Sequence, residues 1–374
     1  MTFKPFTLEQ FLSENEQFVD YNYSESGVHP VKLAELLEMA GLGFGDLADV
    51  PINYPEVNGA EALREKIAAL YPDATAENVL VTVGASEANL LAATTLLAPG
   101  DDVLALRPTY LQFGGMAANI GVHVHHLALD EAEGWRLDVG ELEDRVSDNT
   151  RVISIVNPNN PTGSMLTASE IEALIRVADR VGAWILADEV YAGTEHDGAP
   201  ETETLYGKYD RVIAVNSMSK AYGLPGLRVG WMVGPSDTIE ALWRRHEYAV
   251  VSTTMLSNIL ASAALDVRSA LINRTRALIQ TGFATLNRYL RVHPGVFEMA
   301  PPRASALSFV RYNLPVNSTR FAARLRQEKS VLMVPGDCFG MDHHLRISSA
   351  LPLPYLEAGL SRFNELVASY LDAP

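Results

Sequence analysis

Short apolar segments of strand length alternate with helical segments through the middle of this chain. Helical segments such as Ser86–Leu97 and Ser169–Val181 separate the strands. Because parallel strands need long crossover connections, this alternation predicts a mostly parallel sheet with helices on both faces. The expected strands are Val79–Val83, Asp102–Leu106, His123–Leu129, Val152–Val156, Trp184–Ala187 and Val212–Val215.

The last third of the chain has a different pattern. It is helical from about Met255 to Val292, and strands and helices then mix over residues 306–371. This pattern predicts a smaller α+β domain, which the N-terminal segment joins in space. We therefore expect an N-terminal segment at residues 1–45, a large domain at 46–285 and a small domain at 286–374.

Composition excludes several classes of protein. The net charge of −17 argues against a nucleic-acid partner, and the single cysteine, Cys338, excludes a disulfide framework or a cysteine metal cluster. We see no secretory leader and no run of ~18 apolar residues. We therefore expect a cytoplasmic protein that has no metal site and does not bind a membrane.

Lys220 stands where the apolar run Val212–Val215 breaks into a turn rich in small residues. It is either a solvated or salt-bridged lysine, or a buried amine whose pKa is lowered so that it can form a Schiff base. Ser217 precedes it, and Arg228 follows eight residues later, so a phosphate could bind nearby. An amine beside a phosphate site suggests pyridoxal phosphate (PLP).

Further polar residues follow other strands, and ligands of such sheets lie at these carboxyl ends. Ala85 and Ser86 begin a helix, where free amides favour a phosphate, although Ser86 could simply cap the helix. Tyr110 could stack on a planar ring or only pack. Asn160, in NPNNPTG, could bond a ring hydroxyl or shape a turn.

Two charged residues complete the pattern. Asp188 ends an apolar run, where it would pair with a protonated pyridine nitrogen or with some arginine. Arg346 lies in a short C-terminal strand, where it could bind a carboxylate in a bidentate manner or remain at the surface. We cannot explain the joint order of these residues, each at a strand end, as an accident of packing.

The motifs NPNNPTG and SMSKAYGLPGLRVG make the chain similar to fold-type I PLP enzymes of the class I/II aminotransferase family. The resemblance extends from about Tyr21 to Ser348. The resemblance implies an α/β large domain with a mostly parallel, seven-stranded sheet. It also implies three catalytic residues. Lys220 would bind PLP as a Schiff base and move a proton, Asp188 would pair with the pyridine nitrogen, and Tyr191 would bond the ring oxygen.

The resemblance implies the remaining contacts as well. Arg346, with Asn160, would bind the substrate carboxylate, and Gly27 would lie over the cofactor. Tyr54 matches a tyrosine that family members send across a dimer interface, which implies a homodimer with shared active sites. The other cofactor contacts would be Ala85, Ser86, Tyr110, Asn160, Ser217 and Arg228.

The chain departs from the family in two places. Ala304-Ser305 replaces a glycine pair or Gly-Ala, and Ser26–His29 replaces a glycine-proline segment. The second segment, with SKAYGLPGLRVGW, resembles the capreomycidine synthase subgroup, whose members cyclise a hydroxylated arginine. Glu25 or His29 could touch the substrate side chain, or belong to a hydrogen-bonded turn.

The expected function is therefore an aminotransferase that moves an amino group from an α-amino acid to a 2-oxo acid. The alternative is a PLP-dependent eliminating or cyclising enzyme that acts on a hydroxylated, possibly arginine-derived amino acid. A PLP-binding regulator is disfavoured because no basic DNA-binding module is attached. A nicotinamide dehydrogenase is disfavoured because no glycine-rich turn follows a strand.

Overall fold

The computed structural model describes residues 3–372. Fourteen strands lie within the described residues: β1 Tyr21–Asn22, β2 Val79–Thr82, β3 Asp102–Arg107, β4 His123–Asp130, β5 Arg136–Leu137, β6 Thr150–Val156, β7 Trp184–Asp188, β8 Val212–Ser217, β9 Gly230–Val233, β10 Phe297–Glu298, β11 Leu307–Tyr312, β12 Val331–Leu332, β13 Val334–Pro335 and β14 His344–Ser348.

The same residues form thirteen α-helices, and four short 3₁₀ segments accompany them. The helices are α1 Thr7–Asn15, α2 Leu33–Met39, α3 Phe44–Ala48, α4 Glu61–Ala68, α5 Gly84–Leu96, α6 Gln112–Asn119, α7 Val139–Arg145, α8 Ala168–Val181, α9 Ser236–Ala249, α10 Met255–Asp266, α11 Arg268–Leu290, α12 Ser318–Lys329 and α13 Leu353–Leu371.

The largest sheet has the order β2-β9-β8-β7-β6-β3-β4-β5. Strands β8, β7, β6, β3 and β4 pair in parallel, whereas β9 is antiparallel to both of its neighbours. The expected mostly parallel α/β sheet is confirmed. It has eight strands instead of seven, because the two-residue strand β5 pairs with the end of β4. So short a strand leaves no periodic signal in the sequence.

Helices cover both faces of this sheet. On one face α8 buries Leu174 and Val177, and on the other α5 buries Leu91 and Ala92. Local sequence fixes the ends of α8. A capping box with Thr167 begins it, and Gly182 ends it at φ 67°. Such a cap stabilises a helix by about 1 kcal/mol. The helices therefore hold the sheet, and with it the strand ends, in a fixed position.

The C-terminal part contains a second, antiparallel sheet of order β10-β11-β14-β13. The N-terminal segment joins it, since β1 pairs in parallel with β12 and the Ser348 amide donates to the Tyr23 carbonyl at 2.9 Å. The expected α+β unit built from both ends of the described chain is therefore present. The boundary expected at residues 285 and 286 lies inside α11, and the domain boundaries stay a prediction.

A helix that crosses a membrane must be long and largely apolar. Among residues 3–372, no single helix has the required length and apolar character. Only α10 and α11 together reach the required length and composition, and they are bent by 81° at their break.

Candidate active site

Five strand ends of the large sheet meet at one cavity. The turn after β2, the loops after β3 and β6, the end of β7 and the turn after β8 all contribute side chains. The cavity is lined by Glu9, Ser26, Ala85, Ser86, Asn89, Tyr110, Gln112, Val156, Asn160, Asp188, Val190, Tyr191, Ser217, Ser219, Lys220, Pro225 and Arg228. The strands thus bring together residues that are far apart in the sequence. Ala85 and Arg228, for example, are 143 positions apart.

Lys220 follows β8 and points its amine into this cavity. Its Nζ donates a hydrogen bond to Ser26 Oγ at 2.7 Å. Burial lowers the pKa of the amine to about 8, and the charge of Arg346 acts in the same direction. A substantial fraction of this amine is therefore neutral near physiological pH, which is the form that attacks an aldehyde.

Asp188 ends β7 and is only 6% exposed. Burial raises its pKa to about 6, whereas the Val190 amide, the Asn89 side chain and the Lys220 charge limit the rise. Its hydrogen bonds are long, 3.3 Å from the Val190 amide and 3.4 Å from Asn89 Nδ2. A buried carboxylate with such weak partners is suited to a further cationic or protonated group.

Asn160, Tyr191 and Arg346 form a chain of hydrogen bonds beside the lysine. Asn160 Nδ2 donates to Tyr191 Oη at 3.2 Å, and Arg346 Nη1 donates to Asn160 Oδ1 at 3.1 Å. Burial raises the pKa of Tyr191 to about 12, so the phenol stays protonated and can donate. These bonds connect the large sheet with β14 of the second sheet.

Arg346 is 1% exposed, and its Nη2 donates to the Ser24 carbonyl at 2.5 Å. Its Nε is buried without a partner among the described residues. Burial lowers the pKa of this guanidinium from its ordinary value. A buried cation with an unused donor is suited to bind a carboxylate in a bidentate manner.

The start of α5 and the turn after β8 form an anion site. The Arg228 guanidinium lies so close to Gly84 that a Cβ there would be 2.5 Å from Nη2. A Cβ at Gly230 would likewise be 2.5 Å from the Gly84 carbonyl carbon. The two glycines therefore let Arg228 approach the free amides of Ala85 and Ser86, with Ser217 and Ser219 at the same cavity.

This donor set fits PLP. The anion site matches a phosphate, the weakly bonded Asp188 matches a protonated ring nitrogen, and Lys220 supplies the amine for an aldehyde. Tyr110 lines the same cavity, and its hydroxyl donates to Glu9 Oε1 at 3.1 Å. Gly27 lies over the lysine, since a Cβ there would be 4.0 Å from Lys220 Cδ.

Tyr54, His29 and Glu25, which the sequence suggested for the site, lie outside the cavity lining. Tyr54 is 81% exposed and does not line the cavity within the described chain. His29 is also outside the cavity lining, and its pKa is lowered by burial first and then by Arg274. Glu25 is exposed, although its charge acts against the lowering of the Lys220 pKa. The described chain by itself therefore does not bring Tyr54 to the site.

Among the lining residues that the sequence-based prediction did not assign to the site are four polar side chains that lie away from the strand-end motifs. Asn89 and Gln112 lie on α5 and α6, and they bond each other at 3.1 Å. Asn89 lies three residues after Ser86 on the same helix, and this spacing could have revealed it. Ser26 and Glu9 come from segments with no strand-end signal, and their partners are 194 and 101 residues away.

A metal site needs several ligating side chains close together. No group of three or more His, Cys, Asp or Glu side chains in residues 3–372 is arranged to hold a metal ion.

Comparison with known proteins identifies the family. The sequence pattern of the family described as "Aminotransferase class I and II" matches residues 51–363. A capreomycidine synthase from Streptomyces vinaceus is 31% identical over 365 residues, which cover 97% of this chain and 94% of that protein. An aspartate aminotransferase from Streptomyces avermitilis is 32% identical over 335 residues, which cover 85% of this chain and 81% of that protein.

A solved structure agrees with these relatives. The crystal structure of a PLP-dependent aminotransferase from Streptococcus suis 89-1591 superposes with a TM-score of 0.94 and 29% sequence identity, and the match covers 100% of both chains. Fold, site chemistry and sequence similarity lead to one conclusion: this chain belongs to the class I and II aminotransferase family and is built to use PLP.

Proposed function

We propose that the protein is an aminotransferase that moves an amino group from an α-amino acid to a 2-oxo acid. One observation carries the proposal. The Lys220 amine, whose pKa is lowered to about 8, shares a cavity with Asp188 and Asn160, to which the buried Arg346 is bonded. This arrangement supports a base, a partner for a ring nitrogen and a nearby carboxylate-binding group.

Each of these residues has a separate task. Arg346 binds the α-carboxylate of the amino acid and so directs its Cα toward Lys220. The neutral Lys220 Nζ takes the proton from Cα and can return it to a neighbouring carbon. Bound PLP supplies the electron sink that stabilises the negative charge left on Cα. Asp188 would keep the ring nitrogen protonated, and Tyr191 would donate to the ring oxygen.

The cofactor is held by residues away from the reacting carbon. Arg228, Ser217, Ser86 and the Ala85 amide would bind the phosphate, and the Tyr110 ring would pack against the pyridine ring. Lys220 would bind the cofactor aldehyde through Nζ until the substrate amine takes its place, which frees Nζ to act as the base. The phosphate contacts would keep the cofactor in place, so the substrate would meet it in a constant orientation.

A second candidate function is elimination or cyclisation of a hydroxylated amino acid. The similarity to capreomycidine synthase over 97% of the chain favours it. The same base can serve both reactions. They differ in whether a group leaves the substrate side chain before the proton is returned.

Product analysis separates the two. The holoenzyme is mixed with single amino acids in the absence of a 2-oxo acid. Stoichiometric pyridoxamine phosphate, converted back to PLP by 2-oxoglutarate, supports the aminotransferase. A dehydrated or cyclic product formed with PLP retained overturns it in favour of the second function.

We further propose a homodimer with shared active sites. Ile52 and Tyr54 are 88% and 81% exposed, and Tyr248 is 96% exposed. Large apolar side chains left exposed in this way are typical of an interface. Light scattering should give a dimer mass, and Tyr54→Phe should weaken PLP binding if the partner's site uses this hydroxyl.

A cytoplasmic location is also a proposal, and cell fractionation tests it.

A further inference from the structure

One charged side chain in the cavity has no task in the proposed reaction. The charged lining residues of the described chain are Glu9, Asp188, Lys220 and Arg228. Asp188, Lys220 and Arg228 serve the cofactor and the proton transfer. Glu9 comes from α1, far from the strand ends, and carries the one charge that is still to be explained.

The fold fixes the position of Glu9. The neighbouring Leu8 is 1% exposed and is buried in the same hydrophobic cluster as Phe339. Ahead of the helix, the backbone of Lys4 exchanges two hydrogen bonds with the Asn119 side chain, at 2.8 and 3.0 Å. Phe11 and Leu12, which follow Glu9, pack against the same cluster. Because α1 is held both before and after Glu9, this carboxylate does not reach the cavity by chance.

The Glu9 carboxylate has a free oxygen. Its Oε1 accepts a hydrogen bond from Tyr110 Oη at 3.1 Å. No ion pair involves Glu9 within residues 3–372, and no further side chain bonds Oε2 there. Tyr110 therefore holds one oxygen at the cavity wall and leaves the other available to a ligand.

The charge of Glu9 acts on the residues that would bind the amino acid. Burial is the main influence on the pKa of Lys220 and of Arg346 and lowers both, whereas Glu9 acts in the opposite direction on each. Coulomb interactions of this kind require proximity. Glu9 thus shares the side of the cavity where the substrate would lie.

The cations at the site already have partners or tasks. Arg228 Nη1 donates to the Pro225 carbonyl at 3.0 Å, beside the anion site. Arg346 bonds Asn160 and the Ser24 carbonyl, where the α-carboxylate is expected. A second, side-chain carboxylate would therefore find no cation of its own, and it would face Glu9.

We propose that Glu9 selects substrates whose side chain carries a positive charge, an inference that rests on the proposed function. The free carboxylate oxygen of Glu9 pairs with an ammonium or guanidinium group of the substrate. Dicarboxylic amino acids are disfavoured by the same charge. Glu9 is then a specificity-determining residue, because it contacts the substrate side chain and not the reacting atoms.

L-Arginine and L-citrulline test this inference, because they have nearly the same shape and differ in charge. The rate constant divided by the half-saturating concentration is measured for each from the spectral change of the PLP holoenzyme. A partly exposed ion pair should favour arginine by roughly three- to tenfold. Glu9→Gln should bring the arginine-to-citrulline ratio close to one, and Glu14→Gln, a matched change on the same helix, should leave the ratio unchanged.

Charge reversal gives an independent measurement. Glu9→Lys should favour glutamate over glutamine, provided that its PLP absorbance and circular dichroism match those of the wild type. A wild-type ratio near one, or a ratio that Glu9→Gln leaves unchanged, would overturn the inference. If neutral amino acids react as well as cationic ones, only this inference fails. If no amino acid changes the cofactor spectrum, the proposed function itself fails.

Discussion

The two sides of the cavity are built in different ways. On the sheet side, Asp188 and Ser217 end buried strands and are 6% and 1% exposed. On the N-terminal side, Glu9 is exposed and Ser26 is half-buried, and neither belongs to a strand. The sheet side has the rigidity needed to hold a cofactor in one orientation. The N-terminal side can change without disturbing the sheet, so it is suited to decide which substrate enters.

Removing the central amine of the sheet side should have the largest effect. We expect Lys220→Ala to lower kcat by roughly 10²- to 10⁴-fold, the range for loss of a general base, and to abolish trapping of PLP by borohydride. Lys208→Ala is the matched control, since Lys208 pairs with the exposed Glu203. Activity near the wild-type level in Lys220→Ala would contradict the role of this residue.

Arg346 connects the two sides, so its loss should rank second. Charge-assisted bonds are worth about 1.5–3 kcal/mol, so Arg346→Gln should reduce kcat/KM for amino acids by roughly 10- to 100-fold. Arg291→Gln, on an exposed residue, is the control. An amine substrate without a carboxylate should react about equally with the wild type and Arg346→Gln. An equal loss for that amine would mean that Arg346 only stabilises the fold.

The pH dependence of cofactor loading tests the electrostatics of the sheet side. Because the pKa of Lys220 is lowered to about 8, the neutral amine increases as pH rises toward that value. The rate of PLP uptake by the apoenzyme should therefore rise about tenfold per pH unit below 8 and level off above it. Stopped-flow absorbance measures this rate. A rate that still rises steeply between pH 9 and pH 10 would indicate an ordinary lysine.

The smallest effect should come from a pair behind the anion site. Glu87 Oε2 accepts from the Val83 amide at 2.6 Å, and Glu87 Oε1 lies 2.8 Å from Nδ1 of the fully buried His246. Glu87→Gln keeps the shape but loses the charge, so we expect PLP affinity to fall only about three- to tenfold. Fluorescence titration with PLP measures this, with Glu240→Gln on the surface of α9 as control.

The same contrast explains what the sequence could predict. Asp188, Lys220 and Asn160 follow apolar segments, and the carboxyl ends of parallel strands meet wherever the sheet forms. Their placement thus depends on local pattern and a general topological rule. The mostly parallel sheet was predictable for the same reason, but the two-residue strand β5 was not.

Long-range packing placed the residues that the sequence did not reveal. Ser26 reaches Lys220 only because β1 pairs with β12 and brings the segment after it over the cavity. Glu9 depends on the burial of Leu8 against the C-terminal part of the chain. No local pattern encodes such contacts. The task of Tyr54 depends on a second copy of the chain and stays a prediction.

The pairing of β1 with β12 also bears on how the protein is made. The partners of residues 21–24, at residues 331–332 and 346–348, are synthesised more than 300 residues after them. The large sheet can form while translation continues, because its strands lie between residues 79 and 233. The contacts around Arg346, the proposed partner of the substrate carboxylate, must wait until residues 346–348 have been synthesised. A nascent chain could therefore acquire its cofactor pocket before it can recognise an amino acid.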